Sequence, residues 1–277
     1  MVGRDGGYCV KAQGNKLKLA LVQMHVEAGN PDYNFEKLEE RLEEAVSAGA
    51  DKPDLIMLPE MWNTGYALEQ IQELADDAGA RTKAMLSAFS RKHGIQLLAG
   101  SIAEGKPDGV YNTSYVFDGN GEIGAEYSKI HLFRLMDEEK HLQAGDRLGK
   151  LNVAGSHAGM MICYDIRFPE LARKLALDGA KLLFVPAQWP NPRLHHWRTL
   201  LMARAIENQM FVIACNRCGT SGASSFFGHS IIIDPWGEIV AEAGEDEVIV
   251  RAEIDLSLVD AVRAKIPVFE DRRPSLY

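Results

Sequence analysis

One cysteine, in the run Gly159-Met-Met-Ile-Cys163-Tyr-Asp-Ile-Arg167-Phe-Pro169-Glu-Leu171, stands where an apolar strand-like stretch gives way to a helix opened by proline. Unpaired backbone N–H groups and the positive end of the peptide dipoles gather at a helix start, and they favour a thiolate over a thiol. An unperturbed cysteine, with a pKa of roughly 8.5, is little ionised at neutral pH, so this junction and a nearby base would both help it act as a nucleophile. Two charged residues occupy comparable places. Glu60 follows an apolar strand and a proline in Leu55-Ile-Met-Leu-Pro-Glu60-Met-Trp-Asn-Thr-Gly-Tyr66, and Lys129 follows another strand in Tyr127-Ser-Lys129-Ile-His131-Leu-Phe133. Sites in α/β sheets tend to form at the carboxyl ends of strands, so a carboxylate, an ammonium and a thiol could converge on one pocket. Taken singly, each has a plain alternative reading: a solvated loop acid, a surface cation and a buried filler.

The elements that must position these groups alternate along the chain. Lys18–His25 reads as a strand and Asn34–Ala48 as an amphipathic helix with Phe35, Leu38, Leu42, Ala45 and Val46 on one face. Asp54–Leu58 is a second strand, Leu68–Asp76 and Arg81–His93 carry helical patterns, and Gln96–Ala103 and Val110–Phe117 read as strands. Asn120-Gly121 turns a hairpin toward Gly124–Ser128. Lys129–Gly145 is a long charged excursion, of the kind that often carries function in a compact domain. Strands follow near Leu151–Val153 and at His157–Ile162, then the helix Pro169–Asp178, the strand Lys181–Val185 and the helix Leu194–Asn208. Further strands at Phe211–Ala214, Ser230–Ile233, Glu238–Ala241 and Val248–Ile254 are punctuated by the turn Asp234-Pro-Trp-Gly237. No linker divides the chain, so the pattern is one α/β domain of two packed sheets with helices outside, behind a loose extension over residues 1–17. Asp54-Leu-Ile-Met-Leu-Pro59 and Lys181-Leu-Leu-Phe-Val-Pro186 echo each other faintly.

Composition limits the partners. The 277 residues are 46% hydrophobic and carry a net charge of −9, with no Lys/Arg-rich stretch, which argues against nucleic acid and anionic membrane surfaces. Met1–Asn15 is Gly-rich and polar, unlike a signal peptide, and no run approaches membrane-spanning length, so the expected compartment is the cytoplasm. Four cysteines, Cys9, Cys163, Cys215 and Cys218, do not form a disulfide framework in a chain this long. Cys215-Asn-Arg-Cys218 has the C-x-x-C spacing of a redox pair or half a zinc site, yet no second pair and no following helix pattern support either, and a packed strand end is the favoured reading. His131, His195, His196 and His229 raise the alternative of a Cys-His mechanism, but their isolated contexts supply no orienting partner and favour structural hydrogen bonding. Trp62, Tyr66, Phe133 and Trp189 could wall a pocket or simply fill the core.

Three separated motifs, Leu58-Pro-Glu60, Ser128-Lys129-Ile-His131 and Cys163-Tyr-Asp-Ile-Arg-Phe-Pro-Glu170, appear in the order that marks the nitrilase superfamily of carbon–nitrogen hydrolases, which the chain resembles from about Lys18 to Tyr277. Ala203-Arg-Ala-Ile-Glu-Asn208, Gly228-His-Ser230 and Asp234-Pro-Trp-Gly237 match as well. The resemblance implies a four-layer α-β-β-α sandwich of the nitrilase type. It also implies homodimerisation through the helices near Pro169–Asp178 and Leu194–Asn208, with the C-terminal tail reaching across, and allows a higher oligomer. It implies Glu60 as general base, Lys129 as a stabiliser of the tetrahedral intermediate and Cys163 as nucleophile; on physical grounds Lys129 and the backbone N–H of Tyr164 could form the oxyanion hole, and such chemistry needs no metal or organic cofactor. A second acid in the loop after the lysine falls at Glu138 or Glu139, and register counted back from Leu142 and Gly145 favours Glu138, which would hold Lys129.

The substrate reading also follows from resemblance. Nitrilases proper resemble Cys-Trp-Glu at the nucleophile, whereas this chain has Cys163-Tyr-Asp165, which disfavours nitriles. The ending Ile254-Asp-Leu256 through Ile266-Pro-Val-Phe269 and Arg273-Pro-Ser-Leu-Tyr277 is similar to the omega-amidase branch, which deamidates 2-oxoglutaramate and other dicarboxylate monoamides. That points to a small carboxylate-bearing amide cleaved with water through a thioester, with Tyr66, Arg167 and Trp189 as substrate-binding residues and Arg167 supplying a cation for the acid end. An aliphatic amidase, a deaminated-glutathione amidase and an N-carbamoyl amino acid hydrolase are the alternatives within the family. A catalytically silent assembly scaffold is the alternative outside enzymology, and the joint presence of Glu60, Lys129 and Cys163 argues against it.

Overall fold

The computed structural model describes residues 15–47, 49 and 52–276. In chain order the first half contains β1 (Lys16–Gln23), α1 (Pro31–Val46), β2 (Leu55–Met57), α2 (Ile71–Leu74), β3 (Asp76–Asp77), α3 (Ala80–His93), β4 (Gln96–Leu98), β5 (Ile102–Lys106), β6 (Gly109–Phe117), β7 (Ile123–Ser128) and α4 (Glu138–His141). The second half contains β8 (Gly149–Val153), β9 (Ser156–Met160), α5 (Pro169–Leu177), β10 (Leu182–Ala187), α6 (Leu194–Asn208), β11 (Phe211–Asn216), β12 (Cys218–Ser221), β13 (Ser224–Phe227), β14 (Ile231–Ile233), β15 (Ile239–Glu242), β16 (Val248–Asp255) and α7 (Ser257–Lys265).

The strands form an eight-stranded sheet ordered β16-β1-β2-β4-β6-β5-β3 with β7 on β6, a six-stranded sheet ordered β15-β14-β11-β10-β9-β8, and the ribbon β12-β13. Side chains alternate across a strand, and β1 shows how that builds layers. Leu17, Leu19 and Leu21 join the core shared with Met160, Phe184 and Ile213 of the other sheet, while Ala20 and Val22 join Phe35, Leu38 and Leu42 of α1 and Leu86 and Phe89 of α3. On the far side Leu171, Leu175, Trp197 and Leu201 of α5 and α6 cover the second sheet. The result is the expected α-β-β-α stacking. β10 and β11 are buried at every residue, as parallel strands with both faces covered must be. Among the described residues no helix is long and apolar enough to cross a membrane.

Several boundaries differ from the sequence expectations for identifiable reasons. α1 starts at Pro31 because Asn30 caps it, its side chain accepting the Tyr33 N–H at 3.2 Å. The stretch Gln96–Ala103 is two strands, because Gly100 takes φ +61° and brings its backbone against the carbonyl of Pro59, where a Cβ would collide. Leu68–Asp76 holds a 3-10 turn and the single turn of α2 before β3 opens at Asp76. α7 and the β12-β13 ribbon lay outside the sequence reading. The expected loose extension lies, up to residue 14, outside the described residues, and β1 already begins at Lys16, pairing with Asp255.

Candidate active site

Glu60 lies just beyond β2. The chain there is held by hydrogen bonds from Leu58 N–H to Leu98 O and from Ser101 N–H to Pro59 O, each 3.1 Å. β2 leads toward the end of β10, and the two ends meet: the Gln188 N–H donates to Glu60 Oε2 and its Nε2 to the Glu60 carbonyl, both at 2.7 Å. The strands that echoed each other in sequence are therefore the two whose ends abut at the carboxylate. Gln188 was not among the sequence candidates, although it follows Pro186-Ala187 much as Glu60 follows Leu58-Pro59.

Lys129 leaves the end of β7, its N–H bound to Asn112 O at 2.9 Å and its carbonyl to the Gly145 N–H at 2.8 Å. A side chain at Gly145 would run into the Ser128 carbonyl, so glycine allows the excursion to close tightly on itself. Lys129 Nζ is fully buried and reaches Glu60 Oε1 at 2.9 Å and Glu138 Oε1 at 2.7 Å. Of the two candidate acids in this loop, Glu138 is the one enclosed, while Glu139 is exposed. Glu138 Oε2 accepts the Phe133 N–H at 2.9 Å, which ties the acid to its own loop. The Tyr66 hydroxyl lies 2.8 Å from Glu60 Oε1 and 2.7 Å from Glu138 Oε1, and Asn112 Nδ2 donates to Glu60 Oε1 at 2.8 Å. Asn112 had been missed too; its signal is the buried polar run Asn112-Thr-Ser114 inside an otherwise apolar strand.

Burial alone would push the Lys129 ammonium down, but Glu138 and Glu60 outweigh it and hold the group above the ordinary lysine range. The Tyr66 phenol is pushed up by burial and by the same two acids. Cys163 faces this cluster, 7% exposed and adjacent to Glu60. It opens a 3-10 turn, Cys163–Arg167, and the proline-started α5 begins only at Pro169. The expected helix-start stabilisation of a thiolate is overturned. Burial and then the Glu60 charge push the thiol well up, and Lys129 offsets only part of this. Burial and the neighbouring Glu60 thus disfavour a thiolate, and the Cys163 thiol needs a proton acceptor beside it to react.

Cys163 has φ +47°, sparsely allowed for a residue with a side chain, and the neighbouring residues hold it there. Asp165 Oδ2 accepts the Tyr127 hydroxyl at 2.7 Å and the Ile162 N–H at 2.9 Å, and Oδ1 accepts the His131 N–H at 3.0 Å. His131 Nδ1 lies 2.8 Å from the same Oδ1, and its ring stacks on Phe168 at 3.6 Å. His131 thus braces the turn, and His229, 2.9 Å from Glu242 Oε1, has a similar structural part.

Above the cluster is a cavity lined by Tyr66, Cys163, Tyr164, Arg167 and Trp189, together with Phe133, Met136, Gln188, Pro190 and Arg193. All three sequence candidates for binding, Tyr66, Arg167 and Trp189, reach it. Trp62 does not line it: its indole donates to Ala99 O at 2.8 Å and its ring packs on Phe35. Among the described residues no three His, Cys, Asp or Glu side chains gather in an arrangement fit for a metal ion.

Cys215 and Cys218 are buried and free, with Cys215 Sγ against Val22 O at 3.4 Å, the packed strand end expected of them. Burial raises the Cys218 thiol to about 11 and pushes Cys215 up as well. For groups raised in the folded state, the stabilisation is complete below the unfolded thiol value of roughly 8.5, shrinks as pH rises above it because the unfolded thiols ionise first, and is lost by the time pH passes through the folded value. The expected outcome is a calorimetric Tm lower by about 5 °C or more at pH 10.5 than at pH 7.5. An unchanged Tm would show these thiols ionising as readily folded as unfolded.

The carbon–nitrogen hydrolase family profile matches residues 18–264. The 2-oxoglutaramate amidase of Bacillus subtilis is 47% identical over 95% of this chain and 100% of its own length. The structure is similar to that of a CN-hydrolase superfamily protein from Xanthomonas campestris that carries an arsenic adduct in its active site, with TM-score 0.86, 30% identity and coverage of 93% of this chain and 97% of that one. It is also similar, with TM-score 0.83, 25% identity and 98% coverage of both chains, to an amidase mutant from Nesterenkonia in which the acetamide moiety of fluoroacetamide is covalently added to the active-site cysteine.

Proposed function

The chain belongs to the carbon–nitrogen hydrolase family, and from that premise we propose that it hydrolyses a small carboxylate-bearing amide, of the 2-oxoglutaramate type, to the acid and ammonia. The observation that carries this reading is the buried contact of Glu60 with Lys129 directly beside the Cys163 thiol. Glu60 takes the Sγ proton as sulfur attacks the amide carbon, and the oxyanion is held by Lys129 Nζ and the Tyr164 N–H. The intermediate collapses to a thioester as Glu60 returns the proton to departing ammonia. Glu60 then deprotonates a water that attacks the thioester, and the thiol recovers its proton as the acid leaves. Glu138 and Tyr66 keep Lys129 directed at the reacting centre.

The cation at Arg167 favours a substrate with an acid end. The test is ammonia release from 2-oxoglutaramate, succinamate, glutamine, aliphatic amides, a nitrile and an N-carbamoyl amino acid. Turnover of the first two ahead of the rest is expected. Preference for an N-carbamoyl amino acid or an aliphatic amide would keep the chemistry and replace the substrate, and silence on all of them would favour a scaffold.

A nucleophilic thiol that must stay reduced suits the cytoplasm. Leu177 on α5 and Ile206 on α6, the two helices expected at the interface, are large apolar side chains 40% and 53% exposed, and they support a homodimer through these helices. Light scattering at micromolar concentration is expected to give twice the chain mass of 30.6 kDa, and the single-chain mass would reject the dimer.

A further inference from the structure

We propose that Arg193 is a specificity-determining residue: with Arg167 it forms a two-guanidinium subsite at the cavity mouth that receives the carboxylate at the end of the substrate remote from the scissile amide. The inference rests on the amidase reading above and adds to it a residue that the sequence did not single out.

Arg193 lies at the start of α6, after the loop Trp189-Pro-Asn-Pro-Arg193. That loop is anchored on the ribbon, with Asn191 N–H donating to Ser225 O at 2.8 Å and Asn191 Nδ2 to Ser225 Oγ at 3.0 Å. From this fixed base the guanidinium of Arg193 lies 6.0 Å from the ring of Phe133, on the loop that carries Glu138. Phe133 packs on Tyr164 at 4.7 Å, and Arg167 lies 5.9 Å from the Tyr164 ring and 4.7 Å from the Trp189 ring. The two arginines and three aromatic rings thus follow one another around the cavity, which both arginines line.

Neither guanidinium has an acidic partner among the described residues. Arg167 has only His196 Nδ1, 3.4 Å from its Nη2. Burial draws the Arg167 guanidinium down, and the Arg193 charge adds to this, so the two cations sense each other. Two half-buried arginines left unpaired in a chain of net charge −9 carry a cost that an anion between them would remove. The Trp189 indole Nε1–H, on the same wall, is buried without an acceptor. Most of the remaining lining is apolar or belongs to the catalytic cluster, so a carboxylate entering the mouth has these donors to meet and its amide end is directed toward Cys163. A neutral amide of the same length would leave the arginines unsatisfied.

The test compares kcat/KM for succinamate and for succinamide, its neutral isostere, in the parent, Arg193→Gln and Arg193→Lys proteins. The parent prefers succinamate. In Arg193→Gln the preference ratio falls about 10- to 100-fold, the worth of a charged hydrogen bond, chiefly through KM, and Arg193→Lys recovers part of it. Succinate as competitive inhibitor weakens in parallel. A parent that does not prefer succinamate would overturn the dicarboxylate reading itself. A parent that prefers it beside an Arg193→Gln protein with the same ratio would overturn this inference alone.

Discussion

Cys163→Ala is expected to reduce ammonia release to background, a loss of at least about 10⁴-fold, while the protein remains folded. The reasoning joins the position of the thiol to its ionisation. With burial and Glu60 both holding Cys163 as a thiol, reaction needs the sulfur and its proton acceptor to be in contact, and the site provides that contact once. Neither remaining described cysteine can substitute. Cys215 is packed against the Val22 carbonyl on β11 and Cys218 lies at the start of β12, and both thiols are pushed up by burial with no carboxylate in hydrogen-bond contact. Alanine keeps the Cβ that already tolerates φ +47° and deletes only the sulfur, so the folding cost is about 1 kcal/mol, a Tm change of roughly 2–4 °C. Turnover by Cys163→Ala above a tenth of the parent would place the nucleophile elsewhere.

The convergence of Glu60, Lys129 and Cys163 was legible because each carries a local signature: an acid after an apolar strand and proline, a lysine at a strand end, a cysteine before a proline-led helix. The layer order was legible for a similar reason, since β1 and α1 show their two faces in the spacing of apolar residues. What the sequence concealed depends on contacts between distant segments. The Cys163 ionisation could not be read from its own strand and turn, because the charge that raises it comes from Glu60, about a hundred positions earlier in the chain. Asn112 binds Glu60 from β6 and Gln188 from just beyond β10, and Arg193 reaches the cavity from a loop pinned to the β12-β13 ribbon. The break between β4 and β5 had a local mark, Gly100, yet its cause is the Pro59 carbonyl packed against it. Trp62 is a different case: its sequence position fitted a pocket wall or the core equally, and the Ala99 carbonyl and Phe35 draw it into the core.

Lys129→Met is expected to damage both stability and chemistry, and the two losses can be separated. Methionine fits the stem of the lysine but removes the only cation bound to Glu60 and Glu138 among the described residues, whose Oε1 atoms both contact Nζ. Removing one partner from a fully buried ion network costs about 3–5 kcal/mol because the charges left behind stay desolvated. In the folded variant the two carboxylates, bridged by the Tyr66 hydroxyl, can relieve their repulsion by binding a proton. Folding coupled to proton uptake loses stability as pH rises, so the urea midpoint of Lys129→Met should fall further below the parent at pH 8 than at pH 5.5. Adding Glu138→Gln removes one of the opposed charges and should recover much of that midpoint. It should not recover turnover, since the oxyanion has lost a donor worth about 2.7–4 kcal/mol and the double variant restores none. A Lys129→Met protein as stable as the parent at pH 8 would show that the ammonium contributes little to holding the acids together. A double variant that regained turnover would show that Lys129 serves only to neutralise them.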